Sequence, residues 1–229
     1  PKDHSSSHKP VPDYISALKP EVKGIRIGVP RHFFFSKSEN VSKDTLELAK
    51  KGIEALENMG AHIKEVTIPT LEYSGAAHQI IMLSEAFAYH EPNLRRIPQK
   101  FGIHNRLRFR IGGLFSSADY IQAQRLRNVL KNEFAAILRE TDVIVSPTMS
   151  TPAQRFDEMD VLTTSKTPSF TSPYNMTGMP AISVPCGFTP KGLPVGLQIA
   201  GRPFDESTVI RTAYAYEQSS GLAKFRPPL

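Results

Sequence analysis

The run from residue 170 to residue 218 constrains this chain most, because breaker clusters and short apolar runs alternate along it in a fixed order. Ala181-Ile182-Ser183-Val184 is strand-like, and Pro185-Cys186-Gly187 closes it. Thr189-Pro190-Lys191-Gly192 is a turn, since proline fixes φ at one position and glycine accepts positive φ at a later one. Leu193 to Ile199 returns as a second strand with Val195, Leu197 and Ile199 on one face. Asp205 then caps a helix whose apolar positions are Val209, Ile210, Ala213 and Tyr216. The spacing predicts a β-hairpin followed by a helix.

Upstream, Ile25, Ile27 and Val29 alternate as a strand that ends at Pro30. Ser42 caps a helix with Leu46, Ala49, Ile53, Leu56 and Met59 on one face, stopped by Gly60. A second strand follows over residues 62–68, with His62 and Lys64 exposed. Strand, helix and strand at this spacing form a βαβ unit with parallel strands. Helices are expected over 74–91 and 117–140, the latter burying Leu126, Val129, Leu130, Phe134, Ile137 and Leu138. Residues 142–146 form an internal apolar strand ended by Pro147. Residues 150–168 lack periodicity and read as a surface loop. The predicted class is α/β, a mixed sheet covered by helices, with 1–20 an extended lead-in and 21–229 one domain.

Charge and cysteine usage bound the function. Between Asn93 and Lys131 there are nine Lys/Arg and one acidic residue, Asp119. A patch for an anionic partner and a solvated helical face are both open readings. The second is preferred, because no aromatic stacking pattern accompanies the charge, so no nucleic-acid partner is expected. No run approaches the ~18 apolar residues of a membrane span, and no membrane partner is expected. The lone Cys186 leaves no disulfide framework, suits the cytoplasm and reads as a small core residue. His78, His90 and His104 fall singly, so neither a metal nor another cofactor is assigned.

Gly178-Met179-Pro180-Ala181-Ile182-Ser183-Val184-Pro185-Cys186-Gly187-Phe188 and Gly192-Leu193-Pro194-Val195-Gly196-Leu197-Gln198-Ile199 closely resemble the C-terminal part of the amidase signature family. Gly201-Arg202-Pro203-Phe204-Asp205-Glu206, Asp142-Val143-Ile144-Val145-Ser146-Pro147-Thr148 and Val22 to Pro30 extend the likeness over nearly the whole chain. The resemblance implies the C-terminal part of that fold, whose sheet is shared by both halves of the enzyme. Members hydrolyse carbon–nitrogen bonds of amides with a serine nucleophile, a second serine that relays the proton and a lysine base. The serines sit in a Gly-Gly-Ser-Ser-Gly-Gly type stretch, where glycines let backbone N–H groups approach the oxyanion. No such stretch occurs in these residues. Ser5-Ser6-Ser7 lacks glycine flanks, Gly112-Gly113-Leu114-Phe115-Ser116-Ser117 reverses the needed order and Ser117 with Asp119 reads as a helix N-terminus, and Ser219-Ser220-Gly221 reads as a C-terminal turn. No catalytic residue is therefore assigned, and the chain is expected to be inactive alone.

The resemblance also implies a wall of the substrate pocket at Thr148, Phe170, Thr171 and Asn175. Thr148 alternatively caps a turn, Phe170 is alternatively core, and Asn175 alternatively serves the glycine turn at Gly178. The implied partners are a small amide substrate in the complete enzyme, and a second copy or a separate N-terminal half covering the sheet. Three functions stay open: a portion of a stand-alone amidase, the amidase component of a tRNA-dependent amidotransferase, and a non-catalytic assembly module. The amidotransferase members carry a glutamine-binding Asp two residues before Phe170, where this chain has Pro168, and Tyr89-His90-Glu91-Pro92-Asn93-Leu94 looks like the stand-alone enzymes. The first reading is preferred.

Overall fold

The computed structural model describes residues 6–36, 40–155, 157 and 169–226. Among these residues five strands form one mixed sheet: β1 (Arg26–Val29), β2 (His62–Glu65), β3 (Val143–Pro147), β4 (Ala181–Phe188) and β5 (Pro194–Gly201), in the order β2-β1-β3-β5-β4. β1 pairs in parallel with β2 and β3, whereas β5 pairs antiparallel with β3 and β4. The helices are α1 (Arg31–Phe34), α2 (Lys43–Asn58), α3 (Leu71–Arg96), α4 (Ile103–Gly112), α5 (Ser117–Glu140), α6 (Ser172–Thr177) and α7 (Glu206–Ser220).

Strand alternation sends side chains into two cores. Ile27 and Val29 of β1, Val143 and Val145 of β3, and Leu197 and Ile199 of β5 pack with Ala49, Ile53 and Leu56 of α2 and Val209, Ala213 and Tyr216 of α7. On the other face Ile144 and Ala200 meet Ile81 of α3, Leu130, Phe134 and Leu138 of α5, and Tyr174 of α6. Every residue of β3 is buried, as an internal strand with helices on both sides requires.

The predicted βαβ unit, central strand and hairpin are all present. Ser42 Oγ accepts from Thr45 N–H, and Gly60 takes φ +93° just after α2. Gly192 takes φ +78° in the hairpin turn. His62 and Lys64 are exposed, and Lys64 pairs with Glu140. Several expectations are corrected. β4 does not stop at Pro185; it runs on to Phe188 through a register shift between Pro185 and Gly187, which absorbs the breakers as a bulge. β2 ends at Glu65 rather than Ile68. α3 begins before Ser74 and continues past Pro92 to Arg96. α5 is capped by Ser116, whose hydroxyl and backbone N–H exchange bonds with Asp119 in a capping box, rather than by Ser117. Val129 is 50% exposed, while Leu126, Ile137 and Ile210 are only partly buried. Asp205 stands at the N-cap of α7, but its carboxylate accepts from the Thr208 hydroxyl and Arg202 instead of from backbone N–H. The predicted loop over 150–168 lies largely outside the described residues, as does Pro168.

Two glycines show opposite uses. Gly112 of α4 abuts α3 so closely that an added Cβ would overlap Leu83 O and Phe87 Cβ, whereas Gly75 within α3 has nothing within 4 Å of its Cβ position. Gly112→Ala should therefore destabilise the chain by about 1–3 kcal/mol through overpacking, and Gly75→Ala should stabilise it by about 0.5–1 kcal/mol; urea titration reads both.

The start of β3 is tied to its surroundings by Asp142. Its carboxylate accepts from the Arg26 backbone N–H at 2.9 Å and from the Arg26 guanidinium at 2.7 Å, with Arg202 at 3.5 Å. The Arg26 hydrogen bond is the main cause that holds the Asp142 carboxyl below its ordinary range. A depressed carboxyl stabilises the fold above the ordinary Asp pKa of about 3.9 and loses that contribution as pH falls through the lower folded value. Asp142→Asn should make stability less dependent on pH across that acidic window, measured by denaturation between neutral and acid buffers.

Candidate functional site

β1 has one parallel neighbour on each side, and the carboxyl ends of β1 and β3 face the same edge of the sheet. Such a switch in strand order opens a crevice at the carboxyl edge. After β1 the chain turns at Pro30 into α1, which delivers Phe33 and Phe34 there; after β3 it delivers Thr148. Phe170 joins Phe33 and Phe34 with ring centroids at 5.9 and 5.1 Å, and Phe34 stacks on Tyr174 at 6.1 Å. Phe170 is 1% exposed. Its ring is core, and it shapes the edge from behind.

A buried polar network fixes this wall. Ser146 Oγ lies 3.2 Å from Tyr174 OH, and Gln198 Nε2 donates to Ser146 Oγ at 3.4 Å and to Phe170 O at 3.2 Å. Ser146 and Gln198 are register partners on β3 and β5, so the strand pairing itself brings them together. Burial pushes the Tyr174 phenol far above its ordinary value, with the Ser146 bond opposing in part, so it stays a neutral hydrogen-bonding group. Buried polar groups satisfied in this way rigidify their surroundings.

Beside the network, Thr148 Oγ1 and Ser183 Oγ lie 2.6 Å apart, bridging β3 and β4 across Gly196 of β5. A Cβ at Gly196 would sit 2.7 Å from Thr148 Oγ1, so the absent side chain is what lets the two hydroxyls meet. Ala181 and Ser183, on the same face of β4, are exposed. This hydroxyl-bearing end of the sheet is open to solvent.

The first turn of α6 carries a second polar chain. Ser172 Oγ donates to Ser169 Oγ at 2.5 Å and lies 3.3 Å from His78 Nδ1 on α3. Burial, and secondarily the Arg108 charge, hold the His78 imidazole below its ordinary pKa. With its one proton given to Ser169, the Ser172 hydroxyl accepts from a neutral imidazole that carries its proton on Nδ1. Of the residues predicted for the pocket wall, Thr148, Phe170 and Thr171 thus come to one edge. Thr171 is half-buried and its carbonyl accepts from Asn175 N–H, while Asn175 lies one turn on with its side chain exposed. Thr148 bridges strands rather than capping a turn. Ser146, Ser172, Ser183, Gln198 and His78 were not singled out by sequence for this edge. The strand alternation that puts Ser183 opposite Val184, and Ser146 opposite Val145, is the signal that finds two of them.

Cys186 is buried, with its thiol donating to Val195 O at 3.4 Å, and burial pushes its pKa up to about 12. It is a core residue rather than a nucleophile. Among the described residues no group of three or more His, Cys, Asp or Glu is arranged to hold a metal.

A family model described as Amidase matches residues 1–210. A glutamyl-tRNA(Gln) amidotransferase subunit from Oceanobacillus iheyensis is 38% identical over 99% of this chain and 51% of its own length. The corresponding subunit from Thermodesulfovibrio yellowstonii is 36% identical over all of this chain and 52% of its own. The chain therefore spans about half the length of the curated relatives it matches. Among solved structures, the corresponding glutamyl-tRNA(Gln) amidotransferase subunit from Thermotoga maritima superposes with a TM-score of 0.77 at 30% identity, over 95% of this chain and 47% of that one. A vestigial protein complex bearing on the origins of an s-triazine catabolic enzyme gives 0.82 at 25% identity, over 96% and 48%. A bacterial aryl acylamidase shares the fold, with a TM-score of 0.75 at 20% identity, over 94% and 49%.

Because the Arg108 charge is the lesser cause of the shift, Arg108→Gln should raise the His78 pKa toward its ordinary 6.5 without reaching it. Histidine titration by NMR measures this, and an unmoved His78 would sink the assignment.

Proposed function

The chain belongs to the amidase family, and we propose that it is the C-terminal portion of an amidase that hydrolyses carbon–nitrogen bonds by serine nucleophile chemistry. Its role in that enzyme is to supply one wall of the substrate pocket, with Thr148 and Thr171 toward the amide, Phe170 behind them and Asn175 one helical turn further on. The observation that carries the reading is the open carboxyl edge. There the Thr148–Ser183 hydroxyl pair faces solvent next to a rigid aromatic and polar wall. A nucleophile needs a base and oxyanion donors at the same place. The residues that the family uses for this, two serines in a glycine-rich stretch and a lysine, have no counterpart in these 229 residues. These residues by themselves are therefore inactive, and an N-terminal half bearing the serines and the lysine completes the site.

A second reading is the amidase component of a tRNA-dependent amidotransferase, favoured by the names of the relatives at 38% and 36% identity. Pro168 favours the stand-alone amidase, because proline offers no carboxylate for the ammonium group of a bound glutamine.

The test is an ammonia-release assay on a panel of primary amides, free glutamine included. The purified chain should show no rate above background, and mixing with a polypeptide that carries the Gly-Ser-Ser-Gly stretch and the lysine should restore hydrolysis. Turnover by the chain alone would overturn the proposal. Preferential turnover of free glutamine by the mixture would replace it with the amidotransferase reading.

A further inference from the structure

Helix α4 has one face committed to the protein and one that is not. On the inner face Phe109 stacks on His90 of α3 with centroids 4.9 Å apart, and Phe101 meets the same imidazole edge-on at 5.5 Å. Gly112 presses against the α3 backbone at Leu83, and a Cβ on Gly113 would sit 2.8 Å from the Phe87 ring. The orientation of α4 is thereby fixed, and its outer face cannot turn inward.

That outer face is apolar. Ile103, Leu107 and Ile111 stand four residues apart, so they form one stripe, and they are 51%, 53% and 44% exposed. Leu114, two residues beyond the helix, is 82% exposed. Single exposed apolar residues are ordinary, but a contiguous row of large ones marks an interaction surface. Helical spacing sets Arg106 and Arg110 along one border of the stripe, and Arg95, Arg96 and Lys100 are exposed just before it. Among the described residues Arg106 and Arg110 take part in no ion pair, and no acidic residue occurs from Pro92 to Ala118.

We propose that α4 is an interfacial helix by which the chain rests on an anionic lipid surface. Charge complementarity selects this occupant. The border is of one sign, with no acidic residue from Pro92 to Ala118, so it complements a continuous anionic surface rather than the mixed charges of an ordinary protein rim. A headgroup layer accepts the same arrangement: the leucine and isoleucines enter the acyl boundary, the arginine stems follow them and the guanidinium groups stay among phosphates. No membrane span is required, and among the described residues no helix is long and apolar enough to be one. The absence of a span, which led to the expectation of no membrane partner, does not bear on a helix lying in the interface. The inference stands independently of the amidase reading.

The experiment is co-sedimentation of the full chain with vesicles of phosphatidylcholine alone and of phosphatidylcholine with phosphatidylglycerol. Binding is expected only to the anionic vesicles, weakening as salt screens the headgroups. Leu107→Ser and Ile111→Ser should each weaken it by about tenfold through lost apolar insertion, with the circular dichroism spectrum unchanged because both side chains already face solvent. Arg106→Gln with Arg110→Gln should weaken binding at low salt and flatten the salt dependence. The proposal is overturned if neither serine substitution weakens vesicle binding, or if the chain binds a soluble RNA with equal affinity. It is also overturned if light scattering shows a dimer that Leu107→Ser dissociates, since the stripe would then belong to a second copy.

Discussion

The architecture depends on one strand being apolar on both faces. β3 carries Val143 and Val145 into the core with α2 and α7, and Ile144 into the core with α3, α5 and α6. On this strand the parallel pairing of β1 meets the antiparallel pairing of β5. A polar residue could replace neither valine without stranding a group between layers. Ser146 is tolerated on the second face because Tyr174 and Gln198 satisfy it, and that satisfaction is also what holds Phe170 at the carboxyl edge. Core and site are therefore two ends of one short segment.

Where local chemistry and tertiary packing agree, the elements were legible in advance. Ser42 with the 3.6-residue spacing of Leu46, Ala49, Ile53 and Leu56 defined α2, and Thr189-Pro190-Lys191-Gly192 defined the hairpin turn. They disagree at Pro185-Cys186-Gly187, where breakers that end an isolated strand are accommodated by a bulge because β5 keeps pairing on either side. They disagree again at α4, since its clearest apolar period lies on the side facing solvent. The site was legible only in its position along the chain. Thr148 and Phe170 could be placed near one edge, but the approach of His78 to Ser172, 94 residues apart, depends on how α3 crosses α6. No local pattern encodes that crossing.

The uneven cover of the sheet gives the site its character. α2 and α7 close one face across β4 and β5, so Val184 and Cys186 are buried. On the opposite face the helices stop short of β4, and Ala181 and Ser183 are left in water. β4 is also an edge strand, whose outer groups have no neighbour in the sheet among the described residues. Pro185 and the adjacent bulge interrupt that edge, which blunts its capacity to template a flat, continuous pairing with other chains. The open side therefore admits a shaped partner more readily than an extended strand.

The bond between Arg26 and Asp142 joins residues 116 apart. As the polypeptide emerges from synthesis, β1 can zip with β2 after a single long helix, yet its other edge must wait for α3, α4 and α5, which lie between β2 and β3. Through that interval β1 is paired on one side only, and closing so long a loop is the slow part of reaching a native topology. The order of the strands thus writes a waiting period into the birth of the molecule, in which the βαβ unit is ordered and sticky while the rest is still being made. Residues placed at that temporarily bare edge meet water in a state that no finished structure displays.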